Sequence, residues 1–289
     1  WIGGACLERR GASFGVLEAR RRGFLDCLGE LCQGWLSPER DVTLVLSGMV
    51  GSREGLLEVP YVDAPADLSD VARGMVELTV EGAARAYIVP GMRTRNGRHV
   101  DVMRGEETQV IGALEHSQAS GSGLYCLPGT HSKWVRTEGQ RITGFRTFVT
   151  GETFGLFSTH GLLASLMGSE LPFDTASFDA GLARSGEPLG LLHHLFSARA
   201  DVLGGLMGAE ALPAFLSGLL IGHELRAVPA WVGEGAWPPP RLHLVGAPDL
   251  TAQYARALTH FGTPPDDDQE STHGEGALAL VTLRRESRP

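Results

Sequence analysis

The apolar positions of this chain fall into short blocks with two different periods. Phe24, Leu25, Leu28, Leu31 and Leu36 recur at helical spacing, which predicts a helix within residues 17–36 that Pro38 ends. Residues 42–46 are a β-branched and leucine run and predict a buried strand. That strand opens into Ser47-Gly48-Met49-Val50-Gly51-Ser52. Residues 68–82 predict an amphipathic helix, and 86–89 a second buried strand closed by Pro90-Gly91. Residues 93–98 predict a polar, basic loop that turns at Asn96-Gly97. Met103, Val110, Ile111 and Leu114 then share one helix face, with Glu106 and Glu107 near its first turn.

A Ser/Gly-rich stretch, 118–123, is the candidate boundary between a domain of residues 1–120 and one of residues 121–289. Residues 124–127 predict a strand that runs into Pro128-Gly129-Thr130-His131-Ser132-Lys133. A strand over 141–149 follows, and Thr150-Gly151-Glu152 opens a helix. Residues 168–190 read as loop-rich. Pro213 suits a helix start, and 215–225 continue that helix. Residues 242–245 are the last clear strand, followed by Gly246-Ala247-Pro248 and a helix over 250–258. Residues 262–276 read as a solvated loop carrying Asp266-Asp267-Asp268, with 276–283 apolar again. No repeat of fixed period interrupts the alternation, which predicts α/β layers.

Composition narrows the function classes. The chain has 289 residues, 43% of them hydrophobic, enough for two α/β domains. Its formal charge of -9 argues against broad nucleic-acid or anionic-membrane binding, which needs a basic face. A small anionic substrate needs only a local Arg/Lys cluster. Cys6, Cys27, Cys32 and Cys126 form no C-x-x-C pair and read as buried thiols of a reducing cytosol. No apolar run reaches the roughly 18–20 residues of a membrane span. No signal-peptide pattern precedes the chain's first turn. The expected location is therefore cytoplasmic.

Three strand-to-glycine turns carry candidate chemistry. Backbone N–H groups in turns of small residues can cradle phosphate. Gly129, Thr130, His131, Ser132 and Lys133 add hydroxyls and a cation to such a turn; an ordinary β-hairpin turn fits the same pattern. Gly246 and Ala247 could let the backbone approach a nucleotide, or form a plain β–α turn. Gly218 and Gly222 allow close approach of a helix or of a flat adenine. Glu106 and Glu107 are the acid/base candidates, since phosphoryl transfer to an alcohol needs a carboxylate to take the hydroxyl proton. Helix-dipole compensation is their structural alternative. Arg104 could hold a substrate carboxylate with two donors, or form a surface ion pair. The ten histidines show no H-E-x-x-H arrangement, so no metal ligand is assigned. The serines lack a G-x-S-x-G elbow.

Several of these segments resemble the signature blocks of the 2-dehydro-3-deoxygalactonokinase family. They are 46–52 (LSGMVGS), 102–109 (VMRGEETQ), 127–135 (LPGTHSKWV) and 145–152 (FRTFVTGE), with 215–222 (FLSGLLIG) as a further block in matching order. The resemblance covers roughly residues 1–258. It implies the actin/hexokinase/Hsp70-like (ribonuclease H-like) fold, with two α/β domains and a cleft between them. It also implies ATP- and Mg²⁺-dependent phosphorylation of 2-dehydro-3-deoxy-D-galactonate at its 6-hydroxyl, in galactonate catabolism.

By the same resemblance, Gly129 and Thr130 lie in the second phosphate loop, and Gly246 borders the adenosine. Glu106 is the general base, with Glu107 as rival. Ser47, Gly48, Met49, Gly51 and Arg104 face the sugar acid. Two departures follow. Trp1 matches the Trp of the family's Arg-Ala-Trp, so the preceding Asp-Trp-Gly-Thr-Thr strand and turn are expected to be missing, through an incomplete start or a true loss of catalysis. The family's strand after position 260 is expected to be displaced or lost. The competing readings are a sugar-acid-binding pseudokinase and a phosphatase of the same fold.

Overall fold

A computed structural model describes residues 1–2, 4–37, 39–117, 122–167, 173–233, 237–269 and 273–286. Ile2 and Ala5 form an isolated antiparallel bridge. The single helix expected over 17–36 is two, α1 (Val16–Arg22) and α2 (Phe24–Leu31), because Gly23 between them has φ 99°. That left-handed backbone interrupts a helix and is strained for any residue with a Cβ. Pro38 lies outside the described residues. β1 (Thr43–Leu46) forms as expected and leads into a 3₁₀ turn, Met49–Gly51.

β2 (Val62–Asp63) and β3 (Ala66–Asp67) precede α3 (Leu68–Gly74). Asp67 caps α3 in a reciprocal capping box with Asp70, each bond 3.0 Å. The helix expected to reach residue 82 stops at Gly74. Met75 is extended, and Val76–Leu78 form β4, where β-branched packing overrides the helical spacing. β5 (Arg85–Ile88) is the second expected strand. The loop expected over 93–98 is instead a hairpin of β6 (Met92–Asn96) and β7 (His99–Met103). Only its Gly97-Arg98 tip is a turn, with Gly97 at φ 59°. Gly105 (φ 112°) then turns the chain into α4 (Glu106–Ser117).

β8 (Ser122–Leu127), β10 (Arg141–Phe148) and α5 (Thr150–Thr159) follow the sequence pattern, whereas β9 (Ser132–Glu138) between them is a strand that the pattern did not single out. The expected loop of 168–190 holds α6 (Thr175–Arg184). Its N-cap Asp174 accepts from Ala176 N and Ser177 N, and Phe178 and Leu182 bury one face. α7 (Gly190–Leu203) and the long apolar α8 (Leu212–Val232) come next, then β11 (Leu242–Val245) and α9 (Pro248–His260). The acidic run expected in a solvated loop enters β12 (Asp267–Gln269). This strand pairs in parallel with β11, so the strand expected to be displaced or lost is present. It lies at the sheet edge among the described strands, a place that tolerates charge. α10 (His273–Glu286) closes the described chain.

The chain divides into two compact units. One comprises Trp1–Ser122, Val135–Arg146 and Ser271–Pro289; the other comprises Gly123–Trp134 and Thr147–Glu270. The boundary expected at 120/121 lies outside the described residues. In the first unit, β5 pairs in parallel with β1 and antiparallel with β4. Ala86, Tyr87, Ile88 and Val89 are buried there. α10 packs on α4 so closely that a Cβ on Gly276 would stand 1.9 Å from the Thr108 carbonyl oxygen.

In the second unit, β11 lies between β12 and β8, parallel to both. Its core gathers Leu124, Cys126, Trp134, Phe178, Ile221, Leu244 and Tyr254. α6 crosses α8 in backbone contact. A Cβ on Gly218 would meet Phe178 O at 2.0 Å, and one on Gly222 would meet Ser185 Oγ at 2.4 Å. The two glycines thus serve helix packing. Cys27, Cys32 and Cys126 are buried, whereas Cys6 is exposed, against expectation. Among the described residues no helix is long and apolar enough to cross a membrane.

Candidate active site

In the first unit the candidate residues gather where β1 and β7 end. Gly48, at φ 87°, swings the chain after Ser47 into the 3₁₀ turn and leaves Met49 exposed. Gly51 is required by close approach: a Cβ there would stand 2.8 Å from Ile88 Cγ2 and 3.0 Å from Arg104 Nη1. The Arg104 guanidinium carbon sits over the Tyr61 ring, 4.3 Å from its centroid, and Nη2 donates to Val59 O at 2.8 Å. Arg104 Nε and Nη1 are buried without a hydrogen-bond partner among the described residues. A cation with two unused donors is the arrangement an incoming anion completes.

Glu106 and Glu107 occupy the first turn of α4, where the helix dipole favours negative charge. Glu106 is half-buried and accepts the Arg104 backbone N–H at 2.9 Å. Glu107 is 0% exposed. Its carboxyl accepts Gly105 N–H at 2.7 Å and the Thr108 hydroxyl at 3.1 Å, while Thr108 and Ser47 hydroxyls meet at 2.7 Å. Burial, reinforced by the charge of Glu106, pushes Glu107 up to about 8. Glu107 therefore keeps its proton at neutral pH.

In the second unit, residues 128–131 turn between β8 and β9, with Thr130 and His131 exposed. The start of α5 closes against this turn. Glu152 N donates to Thr130 O at 2.8 Å, and a Cβ on Gly151 would stand 2.4 Å from Gly129 O. His131 Nε2 pairs with Glu152 Oε2 at 2.8 Å. Lys133 is buried and donates to His131 O at 3.1 Å. Gly246 ends β11 beside this turn, where a Cβ would lie 3.6 Å from Pro128 O; Ala247 is exposed as the N-cap of α9. The turn and Gly246-Ala247 thus sit together at the carboxyl ends of the parallel strands β8 and β11, the ligand-binding end of such sheets.

Ser132, expected among the phosphate-contacting residues, is buried and donates to Glu224 at 2.7 Å. Sequence reasoning missed Glu224 altogether. Its one signal was a lone carboxylate inside the apolar run of residues 215–228. Among the described residues no group of three metal-ligating side chains occurs.

Comparison with known proteins gives this geometry a family. The family model described as 2-keto-3-deoxy-galactonokinase matches residues 2–280. A protein of Rhizobium meliloti (strain 1021) named as a probable 2-dehydro-3-deoxygalactonokinase is 38% identical over 264 residues, covering 90% of this chain and 83% of its own. The 2-dehydro-3-deoxygalactonokinase of Escherichia coli (strain K12) is 36% identical over 267 residues, covering 91% and 86%. A crystal structure from Sinorhizobium meliloti, given the name of the same kinase, superposes with a TM-score of 0.84 at 33% identity, over 99% of this chain and 93% of that one. With its α/β elements and its turns in place, the chain belongs to the 2-keto-3-deoxy-galactonokinase family.

Proposed function

We propose that this protein transfers the γ-phosphoryl group of ATP to the 6-hydroxyl of 2-dehydro-3-deoxy-D-galactonate, in galactonate catabolism. Its fold would be of the actin/hexokinase-like (ribonuclease H-like) kind. Residues 1–120 would bind the sugar acid and residues 121–289 the nucleotide, in the cytoplasm. The observation that carries the reading is the pair of turns at the β8 and β11 strand ends, in a chain matched along residues 2–280 by a kinase family.

In this reading the 6-hydroxyl oxygen attacks the γ-phosphorus, the bond to the ADP oxygen breaks, and Glu106 takes the hydroxyl proton. Glu106 is preferred over Glu107 because it is reachable and Glu107 holds its own proton. Arg104 would clamp the substrate carboxylate through its unused donors, with Ser47, Gly48, Met49 and Gly51 shaping the sugar-acid side. Gly129, Thr130, His131 and Lys133 would form the phosphate side, with Ser132 holding the turn through its hydrogen bond to Glu224, and Gly246 and Ala247 the adenosine side. Mg²⁺ bound with ATP would neutralise phosphate charge, and the exposed Thr130 hydroxyl and Glu152 carboxylate are hard oxygen donors that fit it.

The alternative of a sugar-acid-binding pseudokinase draws support from no residue of these segments. The test is ADP release coupled to 2-dehydro-3-deoxygalactonate and Mg-ATP, with and without a family-like amino-terminal extension. Turnover in either chain is expected; none in either would overturn the reading. Thr130→Ala should raise the ATP KM about ten-fold, the loss of one charge-assisted contact.

A further inference from the structure

Glu224 sits on α8 within a helix face that is otherwise apolar, and only 3% of it is exposed. Its carboxylate receives four side-chain donors from three other elements. Ser132 Oγ and Trp134 Nε1, both on β9, donate to Oε1 at 2.7 and 2.6 Å. The Tyr254 hydroxyl of α9 donates to Oε2 at 2.8 Å, and the Thr150 hydroxyl at the start of α5 also donates to Oε2. Four donors on two oxygens is the full complement of an ionised carboxylate. One of them, the indole N–H, can only donate, which fixes Oε1 as an acceptor.

The donors are not placed at random. Ser132 is the first residue of β9 after the turn of residues 128–131. Thr150 opens the helix whose first turn closes on that same turn through Glu152 N and Gly151. Tyr254 lies on the helix that starts from Gly246-Ala247. One buried carboxylate therefore ties together both flanks of the 128–131 turn and the helix of the neighbouring strand end. We infer that Glu224 is a positioning residue for phosphoryl transfer: it holds the 128–131 turn in the conformation that receives the nucleotide phosphates, without touching them. This rests on the phosphate-side placement of that turn.

The substitution that reads it is Glu224→Gln. Oε1 keeps its acceptor role toward Trp134 and Ser132, but the new amide N–H₂ faces Thr150 and Tyr254, which must turn to accept. Trp134 stays satisfied, so the core is retained while the link to α5 is reversed. A positioning role predicts an ATP KM raised about five-fold with the sugar-acid KM changed less than about two-fold, since mainly nucleotide-side geometry is perturbed. A purely structural role predicts a lower melting temperature with both KM values unchanged, and that result would overturn the inference. Thr150→Val removes one donor at the turn's flank and reads the same split if Glu224→Gln does not fold; there an ATP KM raised about three-fold is expected. Thr130→Ala, run alongside, separates the two levels. A raised ATP KM in Thr130→Ala with an unchanged one in the Glu224 and Thr150 variants sinks only the positioning role. An unchanged ATP KM in Thr130→Ala removes the turn from the phosphate site, and the inference falls with it.

Discussion

Glu107 and Glu224 are both carboxyl groups withdrawn from water, one in each unit, and their surroundings are opposite. Glu224 meets four side-chain donors, and their hydrogen bonds work against the upward pull of burial on its proton affinity. Glu107 meets two backbone N–H groups and one hydroxyl, and it sits beside Glu106, whose charge adds to the effect of burial and lifts it to about 8. Burial alone thus does not decide what a carboxyl group does. Both carboxyls are pushed up by burial, but the count and direction of donors and the sign of the nearest charge differ: Glu224 gathers donors from three other elements, whereas Glu107 is a neutral fixture of a helix start.

In the proposed reaction Glu106 takes the hydroxyl proton, and removing that carboxylate is expected to have the largest effect. Glu106→Gln should lower kcat by at least ~10²-fold while the sugar-acid KM moves by less than about three-fold, as for loss of a general base. Steady-state kinetics decides it, and a two-fold fall in kcat would return the role to Glu107. The next effect is at Arg104. Arg104→Lys keeps the charge but loses the planar fork and its seat over the Tyr61 ring, so the sugar-acid KM should rise about ten-fold with the ATP KM unchanged. An unchanged sugar-acid KM would move carboxylate recognition to another cation.

Much of this was legible in the sequence, and the failures have physical causes. The strands β1, β5, β8 and β11 are apolar runs ended by turn residues, so local pattern and tertiary burial agree. The pattern misled where they disagree. In residues 76–78 and 92–103 helical spacing or charge hid strands that are specified by pairing with neighbouring segments rather than by their own apolar pattern. β12 was hidden because a parallel ladder with β11 is a non-local fact. Gly23 was readable as a weak helix position, but its positive φ was not. At the candidate site, Arg104, Glu106 and Glu107 stand close in sequence and could be grouped by eye. Glu224 could not be grouped with Ser132, Thr150 and Tyr254, which lie 92, 74 and 30 residues away.

The smallest effect on turnover, and the sharpest test of the contrast, is Glu107→Gln. A neutral carboxyl replaced by a neutral amide should leave kcat at pH 7 within about three-fold, because no proton is taken there. Stability should respond instead. The folded Glu107 titrates near 8 against 4.5 in the unfolded chain. Below pH 4.5 both states hold the proton and its contribution to stability is fully present. As pH rises toward 8 the unfolded chain releases a proton that the folded chain retains, so the wild type loses stability through that window, by on the order of a few kcal/mol. Glu107→Gln does not titrate, so its stability relative to the wild type should grow steadily from pH 5 to pH 8 in urea unfolding. The same exchange at Glu224 should cost stability at pH 7, because two hydroxyl donors then face an amide N–H₂ group. A gap between Glu107→Gln and wild type that stays constant with pH would mean that Glu107 is ionised in the folded protein. The case for Glu106 as the base would then rest on its exposure alone.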